Sequence, residues 1–335
     1  MKILIIRVGA MGDVLHALPA VAALRTARPD WEIDWVVTPQ WSPLLVNGEG
    51  KGPIVGRVHL AKTKMWKRAP ASPATLRSIV GLRSALRKES YDLAVDMQGT
   101  LRSAVIGRMS GSGRLVGYSD PRERLAATFY KAKLERTGGH VIEQGAALLG
   151  EACGVALEPK DVELPHDEWA DLWAAEVVGD RRTCLLAAGA GWPAKCWDVK
   201  KYGALAVELK AMGMDVVVNA PRKDDALAAA VVEASEGAAR VVVCDVTGLI
   251  ALMRRMTLLV GGDSGPTHLA AALGVPLVAL FGPTDPERNG PRGPGPKVAL
   301  RDPASVTSYK HSGAEDPGLA KIPVGAVLDA VRSLL

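Results

Sequence analysis

Several things this chain lacks narrow what it can be. Its 335 residues hold four cysteines, Cys153, Cys184, Cys196 and Cys244. None forms a C-x-x-C pair, and His and Cys do not cluster at zinc spacing, so neither a disulfide framework nor a structural metal is expected. Free thiols in a reducing compartment are the expectation. No apolar run reaches the roughly 18–20 residues that span a bilayer. The opening Met1-Lys2-Ile3-Leu4-Ile5-Ile6-Arg7 is too short for a signal-peptide core and reads as a buried first strand, which points to a cytoplasmic protein. Aromatics are sparse (eight Trp, five Tyr, two Phe) and no nucleic-acid recognition module is visible, so no nucleic-acid partner is expected. Neither G-x-G-x-x-G nor G-x-x-x-x-G-K-[ST] occurs after a strand, which gives a dinucleotide site or a Walker A loop little support.

Acidic residues are missing from one long stretch. Between Lys51 and Lys88 lie ten basic residues (Lys51, Arg57, Lys62, Lys64, Lys67, Arg68, Arg77, Arg83, Arg87, Lys88) and no Asp or Glu. The net charge is +5 and the pI about 9.0. A one-signed stretch of that length makes a positive surface suited to an anionic acceptor or an anionic membrane.

What is present is an alternation of short apolar runs with amphipathic stretches. Strands are expected at Lys2–Val8, Glu32–Val37, Ile54–Leu60, Asp92–Asp96, Thr183–Ala188, Asp215–Val218, Arg240–Val243, Leu258–Val260 and Pro276–Phe281, with helical patterns between them. Gly290–Pro303, rich in Gly and Pro, is expected to be loop. The pattern weakens at Leu157–Asp167 and then restarts, so two α/β domains with parallel sheets are expected. Ligands of such sheets bind beyond the carboxyl ends of the strands.

The residues just after each strand are therefore the site candidates. Gly9-Ala10-Met11-Gly12-Asp13 follows the first strand. Asp13 suits either a helix N-cap or a general base for an attacking hydroxyl. Asp263-Ser264-Gly265-Pro266-Thr267-His268 joins a buried strand to a helix. Its free N–H groups, with hydroxyls from Ser264 and Thr267 and the His268 ring, make an anion site. The small-residue loop Ala188–Gly191 leads to Lys195, a mobile point charge for a diphosphate. Asp224 and Asp225 follow the next strand and suit either ribose hydroxyls or a helix first turn. Lys62, Lys64, Lys67 and Arg68 surround Trp66.

Read in order, Gly12-Asp13-Val14-Leu15-His16, Leu18-Pro19, Asp96-Met97-Gln98-Gly99, Lys195-Cys196-Trp197, Asp263-Ser264-Gly265 with His268, and Gly282-Pro283-Thr284-Asp285-Pro286 resemble the ADP-heptose:lipopolysaccharide heptosyltransferases, glycosyltransferase family 9. Lys64–Arg68 and Arg122-Glu123-Arg124-Leu125-Ala126 look most like heptosyltransferase I within it. The resemblance implies a GT-B fold of two facing Rossmann-like domains. These are an acceptor-binding domain at 1–160, a nucleotide-sugar domain at 161–320, and a final helix at 321–335 packing back on the first. It implies inverting transfer of heptose from ADP-heptose to a Kdo residue of Kdo2-lipid A, with no essential metal or other cofactor. Asp13 would be the base. Gly12, Lys195, Asp224 or Asp225, Asp263, Ser264, Gly265, Thr267 and His268 would hold the donor. Lys62, Lys64, Lys67, Arg68 and Arg122 would meet the anionic acceptor, at the cytoplasmic face of the inner membrane. Ser264 departs mildly from the Thr of many relatives, and Ala188–Gly191 lacks the hydroxyls often found there, leaving only backbone contacts to a phosphate. Two rival readings remain: a same-family transferase with another acceptor, heptosyltransferase II-like or protein-directed, and a non-catalytic nucleotide-sugar-binding protein.

Overall fold

The computed structural model describes residues 1–309 and 316–335. The chain divides into two compact units, Met1–Pro165 and His166–Leu335. The division falls at the end of the Pro-containing segment where the strand–helix alternation fades, close to the boundary expected at 160.

The N-terminal unit runs β1 (Lys2–Ile6), α1 (Met11–Ala27), β2 (Glu32–Val37), a 3₁₀ turn Pro39–Leu44, β3 (Arg57–Leu60), α2 (Thr63–Arg68), α3 (Pro73–Lys88), β4 (Leu93–Asp96), α4 (Leu101–Met109), β5 (Leu115–Tyr118), a 3₁₀ turn Arg124–Phe129, β6 (Ala132–Leu134) and α5 (Val141–Cys153). Its six parallel strands take the order β3-β2-β1-β4-β5-β6. Ile3, Leu4, Ile5 and Ile6 are all fully buried, because a parallel sheet is covered on both faces. Leu4 and Ile6 pack with Leu82 and Leu86 of α3 and with Ala104 and Ile106 of α4. The alternate residues turn to the other face, where α1 packs against α5.

The C-terminal unit runs α6 (Glu168–Val178), β7 (Thr183–Ala187), a 3₁₀ turn Pro193–Lys195, α7 (Val199–Ala211), β8 (Asp215–Ala220), α8 (Ala226–Ala234), β9 (Ala239–Val243), α9 (Val246–Arg254), β10 (Leu258–Gly262), α10 (Gly265–Ala272), β11 (Leu277–Phe281), α11 (Pro286–Asn289), β12 (Lys297–Arg301), α12 (Pro317–Lys321) and α13 (Val324–Leu334). Its order, β12-β11-β10-β7-β8-β9, is the same winding in the second unit's own strands. Both units therefore have the Rossmann strand order, and the fold class is the one expected, that of the GT-B glycosyltransferases.

Three strands escape the sequence pattern. β5 and β6 are short, and β12 lies inside the Gly/Pro-rich segment expected to be loop. Lys297-Val298-Ala299-Leu300-Arg301 is a five-residue edge strand whose Val298 and Leu300 pack on the core, too short to register beside its Gly and Pro neighbours. The final helix adds to the C-terminal unit's own core. Val327, Leu328, Ala330 and Val331 of α13 are part of the C-terminal unit's own core, packed on α7, β11 and β12, so its apolar face is used there. All four cysteines are free. Among the described residues no helix is long and apolar enough to cross a membrane.

Candidate active site

In each sheet the strand order reverses between the first and fourth strands, and the loops after those strands diverge there. The switch points lie between β1 and β4 in one unit and between β7 and β10 in the other. The motif residues sit at both.

In the N-terminal unit, β1 delivers Arg7 and then Gly9, whose φ is +150°. A Cβ at Gly9 would lie 2.9 Å from the Trp41 indole, so a side chain there would push the turn away from the neighbouring loop. Asp13 is the third residue of α1; the N-cap is Ala10, and the Asp13 side chain fills the N3 half of a capping box by accepting from the Ala10 N–H. One Asp13 oxygen meets Arg7 Nη2 at 2.9 Å. The other accepts from Ala10 N–H at 3.1 Å and from Gln98 Nε2 at 3.4 Å. Arg7 also donates through Nε to the Asp13 carbonyl at 3.1 Å and through Nη1 to the Met97 carbonyl. The Asp13 side chain stays 32% exposed, so a held carboxylate still opens to solvent. Gly12 N–H lies in the same first turn, among the amides that have no helical partner.

Asp96, at the end of β4, builds the opposite wall. It is fully buried and accepts from Gln98 N–H, Gly99 N–H, Ser103 Oγ and Tyr130 Oη at 2.8–3.0 Å. Burial pushes its carboxyl up, against the pull of those four donors. The carboxylate thus fixes the loop that carries Gln98 to Asp13. Glu123 N–H donates to the Gly99 carbonyl at 2.9 Å, which brings exposed Arg122 beside the same loop. Lys62, Lys64, Lys67 and Arg68 follow β3 and are exposed. Lys64 Nζ donates to Gln40 Oε1 at 2.5 Å, next to Trp41. The basic side chains expected for an acceptor therefore sit at the same carboxyl end of the sheet as Asp13.

In the C-terminal unit Asp263 is the hub. It is 7% exposed. Lys195 Nζ donates to Oδ2 at 2.5 Å, Thr284 Oγ1 donates to the same oxygen at 2.7 Å, and His268 Nε2 lies 2.9 Å from Oδ1. Burial alone would raise the carboxyl's pKa. The bond and charge of His268, then the charge and bond of Lys195, more than offset it and hold it well below the usual carboxylate range. Lys195 is set by its neighbours: Trp197 is buried in the core with its Nε1–H on the Ile322 carbonyl at 3.1 Å, and Lys195 Nζ lies 5.4 Å from the Trp192 ring centroid. Gly262 permits this, since a Cβ there would lie 2.6 Å from the Lys195 carbonyl oxygen. One of the three ammonium donors meets Asp263, and only 16% of the side chain is exposed.

The remaining expected donor residues divide. Ser264 is the N-cap of α10 and makes no side-chain capping bond; Gly265 opens the helix behind it. Thr267 is corrected: it is fully buried and its hydroxyl donates to the Gly262 carbonyl at 2.6 Å, so it closes the β10–α10 turn instead of reaching a ligand. Asp225 is the N-cap of α8, its Oδ1 accepting from Ala228 N–H at 3.0 Å. Asp224 is exposed and pairs with Arg222 at 3.3 Å. Gly12 lies in the other unit from all of these.

Sequence reasoning missed Arg7, Gln98 and Thr284 as site residues. The signals were there: Arg7 is the first charge after a buried strand, and Gln98 and Thr284 lie inside motifs that had no role assigned to those positions.

The family model described as glycosyltransferase family 9 (heptosyltransferase) matches residues 79–308. Lipopolysaccharide heptosyltransferase 1 of Pseudomonas aeruginosa is 28% identical over 88% of this chain and 82% of that protein. Lipopolysaccharide heptosyltransferase 3 of Escherichia coli is 29% identical over 82% of this chain and 81% of its own length. The solved structure of E. coli heptosyltransferase WaaC with ADP superposes with a TM-score of 0.81 over the full length of both chains, at 24% identity. More than half of the chain is matched by the family's model, and the chain belongs to glycosyltransferase family 9, the heptosyltransferase family.

Proposed function

We propose that this chain moves L-glycero-D-manno-heptose from ADP-heptose to a Kdo residue of the lipopolysaccharide inner core, with inversion. The observation that carries the proposal is the pair of switch-point sites: a partly exposed, tightly held carboxylate in one unit and a lysine-bearing anion site in the other. Donor binding alone needs no base there, although the same carboxylate also holds Arg7 and the start of α1. In the proposed step the Kdo hydroxyl oxygen attacks the anomeric carbon as Asp13 takes its proton, and the bond from that carbon to the phosphate oxygen breaks. ADP leaves with the electron pair. Lys195 and the first-turn amides of α10 would meet its growing charge, so no metal enters the proposal.

Asp263 is proposed to act through Lys195, which it orients, as are Thr284 and His268 through Asp263. Ser264 and Gly265 would offer the α10 amides to the diphosphate. Asp224 is the better candidate for ribose, because Asp225 already caps α8. Lys62, Lys64, Lys67, Arg68 and Arg122 would meet carboxylates and phosphates of the acceptor. Catalysis on a lipid-linked acceptor implies work at the inner leaflet of the inner membrane, from the cytoplasmic side. The match to a lipopolysaccharide heptosyltransferase 3 favours one second reading, a same-family transferase with another acceptor.

The test is Asp13→Asn. Transfer is expected to fall by at least about 100-fold, the lower end of what a general base contributes, with ADP-heptose affinity unchanged by calorimetry. Wild-type turnover in this variant would remove the base assignment.

A further inference from the structure

The acid-free stretch does not form one surface. Lys51 pairs with Glu49 at 2.8 Å, and Arg57 pairs with Glu89. Lys62, Lys64, Lys67 and Arg68 stand at the carboxyl end of the sheet, where the acceptor is proposed to bind. Arg77, Arg83, Arg87 and Lys88 belong to α3, and all four are exposed. Among the described residues no carboxylate lies within ion-pair distance of these four.

The same helix shows two aliphatic side chains that the core does not use. Leu76 is 55% exposed and Val80 64%. Thr75, Leu82 and Leu86 face inward. Leu76, Val80, Arg83 and Arg87 recur at i, i+4, i+7 and i+11, so they form one stripe on the outer side. Helix stability does not account for it: an exposed Val lowers helix propensity. The helix is otherwise well built, with Ser72 capping Thr75 N–H at 3.1 Å and Pro73 in the first turn. Trp66 Nε1–H donates to Ser78 Oγ at 3.1 Å, which joins α2 to α3. The aliphatic pair therefore sits in the half of α3 nearest the acceptor lysines.

A helix with a buried apolar side, and an outer side of unpaired cations around exposed aliphatics, matches the chemistry of an anionic lipid surface. A soluble anion would need the cations but not Leu76 and Val80; a neutral apolar partner would need the aliphatics but not four uncompensated charges. We infer that the outer face of α3 docks the chain on an anionic bilayer surface, with Leu76 and Val80 entering the headgroup boundary and Arg83 and Arg87 beside lipid phosphates. The inference rests on the lipid-linked acceptor of the proposed function, and it would bring α2 to the surface that holds such an acceptor.

The experiment is vesicle flotation of the full chain with phosphatidylethanolamine–phosphatidylglycerol vesicles and with phosphatidylcholine vesicles, neither containing an acceptor. Binding to the anionic vesicles alone is expected, weakening as salt shortens the Debye length. Arg83→Gln with Arg87→Gln is expected to lower partitioning by about 25-fold, or about fivefold per charge. Leu76→Ser with Val80→Ser should lower it by at least about tenfold, which the burial of only about two of the five carbons removed already predicts. Both variants should transfer to a water-soluble, de-acylated acceptor at the wild-type rate, which shows that they fold and separates this result from the fate of the functional reading. Wild-type protein that stays off anionic vesicles, as a face reserved for a protein partner would, overturns the inference. So do variants that float as well as wild type.

Discussion

Replacing Asp263 with Asn tests the organisation of the donor side. The amide keeps the shape of the carboxylate but loses its charge and one acceptor. If its oxygen takes the Oδ2 position, it still accepts from Lys195 and Thr284, now as a neutral group. Each of those bonds drops from about 1.5–3 to about 1 kcal/mol. The ammonium, mostly buried, also loses its counter-charge. Breaking a buried pair costs about 3–5 kcal/mol in total, and because the amide retains hydrogen bonds we expect the lower end, about 3 kcal/mol. Lys195→Met removes the ammonium and keeps the stem. Urea unfolding of wild type, both single variants and the double variant closes a cycle, with midpoints compared at unchanged slope. The expected coupling is about 2 kcal/mol. Coupling under about 0.5 kcal/mol would mean that the 2.5 Å contact does not hold Lys195 in place, and the orienting role of Asp263 would fall with it.

Two further outcomes follow from the same geometry. The Asp263 carboxyl is depressed in the folded chain, so its contribution to stability is complete above its unfolded pKa, near 3.9, and is lost as pH falls through the lower folded value. The stability gap between wild type and Asp263→Asn is therefore expected to shrink as pH falls below about 4; a gap that grows there on acidification would refute the sign. Asp225→Ala should cost about 1 kcal/mol of stability through its lost cap and leave ADP affinity alone. Asp224→Ala should leave stability within about 0.5 kcal/mol and weaken ADP binding by about five- to tenfold, the worth of one hydrogen bond, and calorimetry that finds the reverse pattern would exchange the two roles.

Much of this was legible in the residues, and the exceptions have physical causes. Buried parallel strands announce themselves as unbroken apolar runs, as Ile3–Ile6 and Leu277–Phe281 do. An edge strand of five residues between Gly- and Pro-rich turns, β12, does not. Gly-rich turns after strands located both switch points, since close backbone approach leaves a glycine signature. Which polar group each side chain would choose was not readable. Thr267 and Asp225 look like ligand-facing residues in sequence, yet a free carbonyl and a helix N–H within reach take them first. Conversely, Thr284 meets Asp263 from across the turn, a contact between residues 21 apart that no local pattern encodes. The amphipathic face of α13 was visible, but not which core would receive it.

The central claim is the reaction. Incubating the chain with ADP-heptose and de-acylated Kdo2-lipid A, and weighing the acceptor by mass spectrometry, tests it directly. The account predicts one added heptose with wild-type protein and, over the same time, at least about 100-fold less product with Asp13→Asn. An acceptor whose mass is unchanged by wild-type protein that binds ADP-heptose would contradict it.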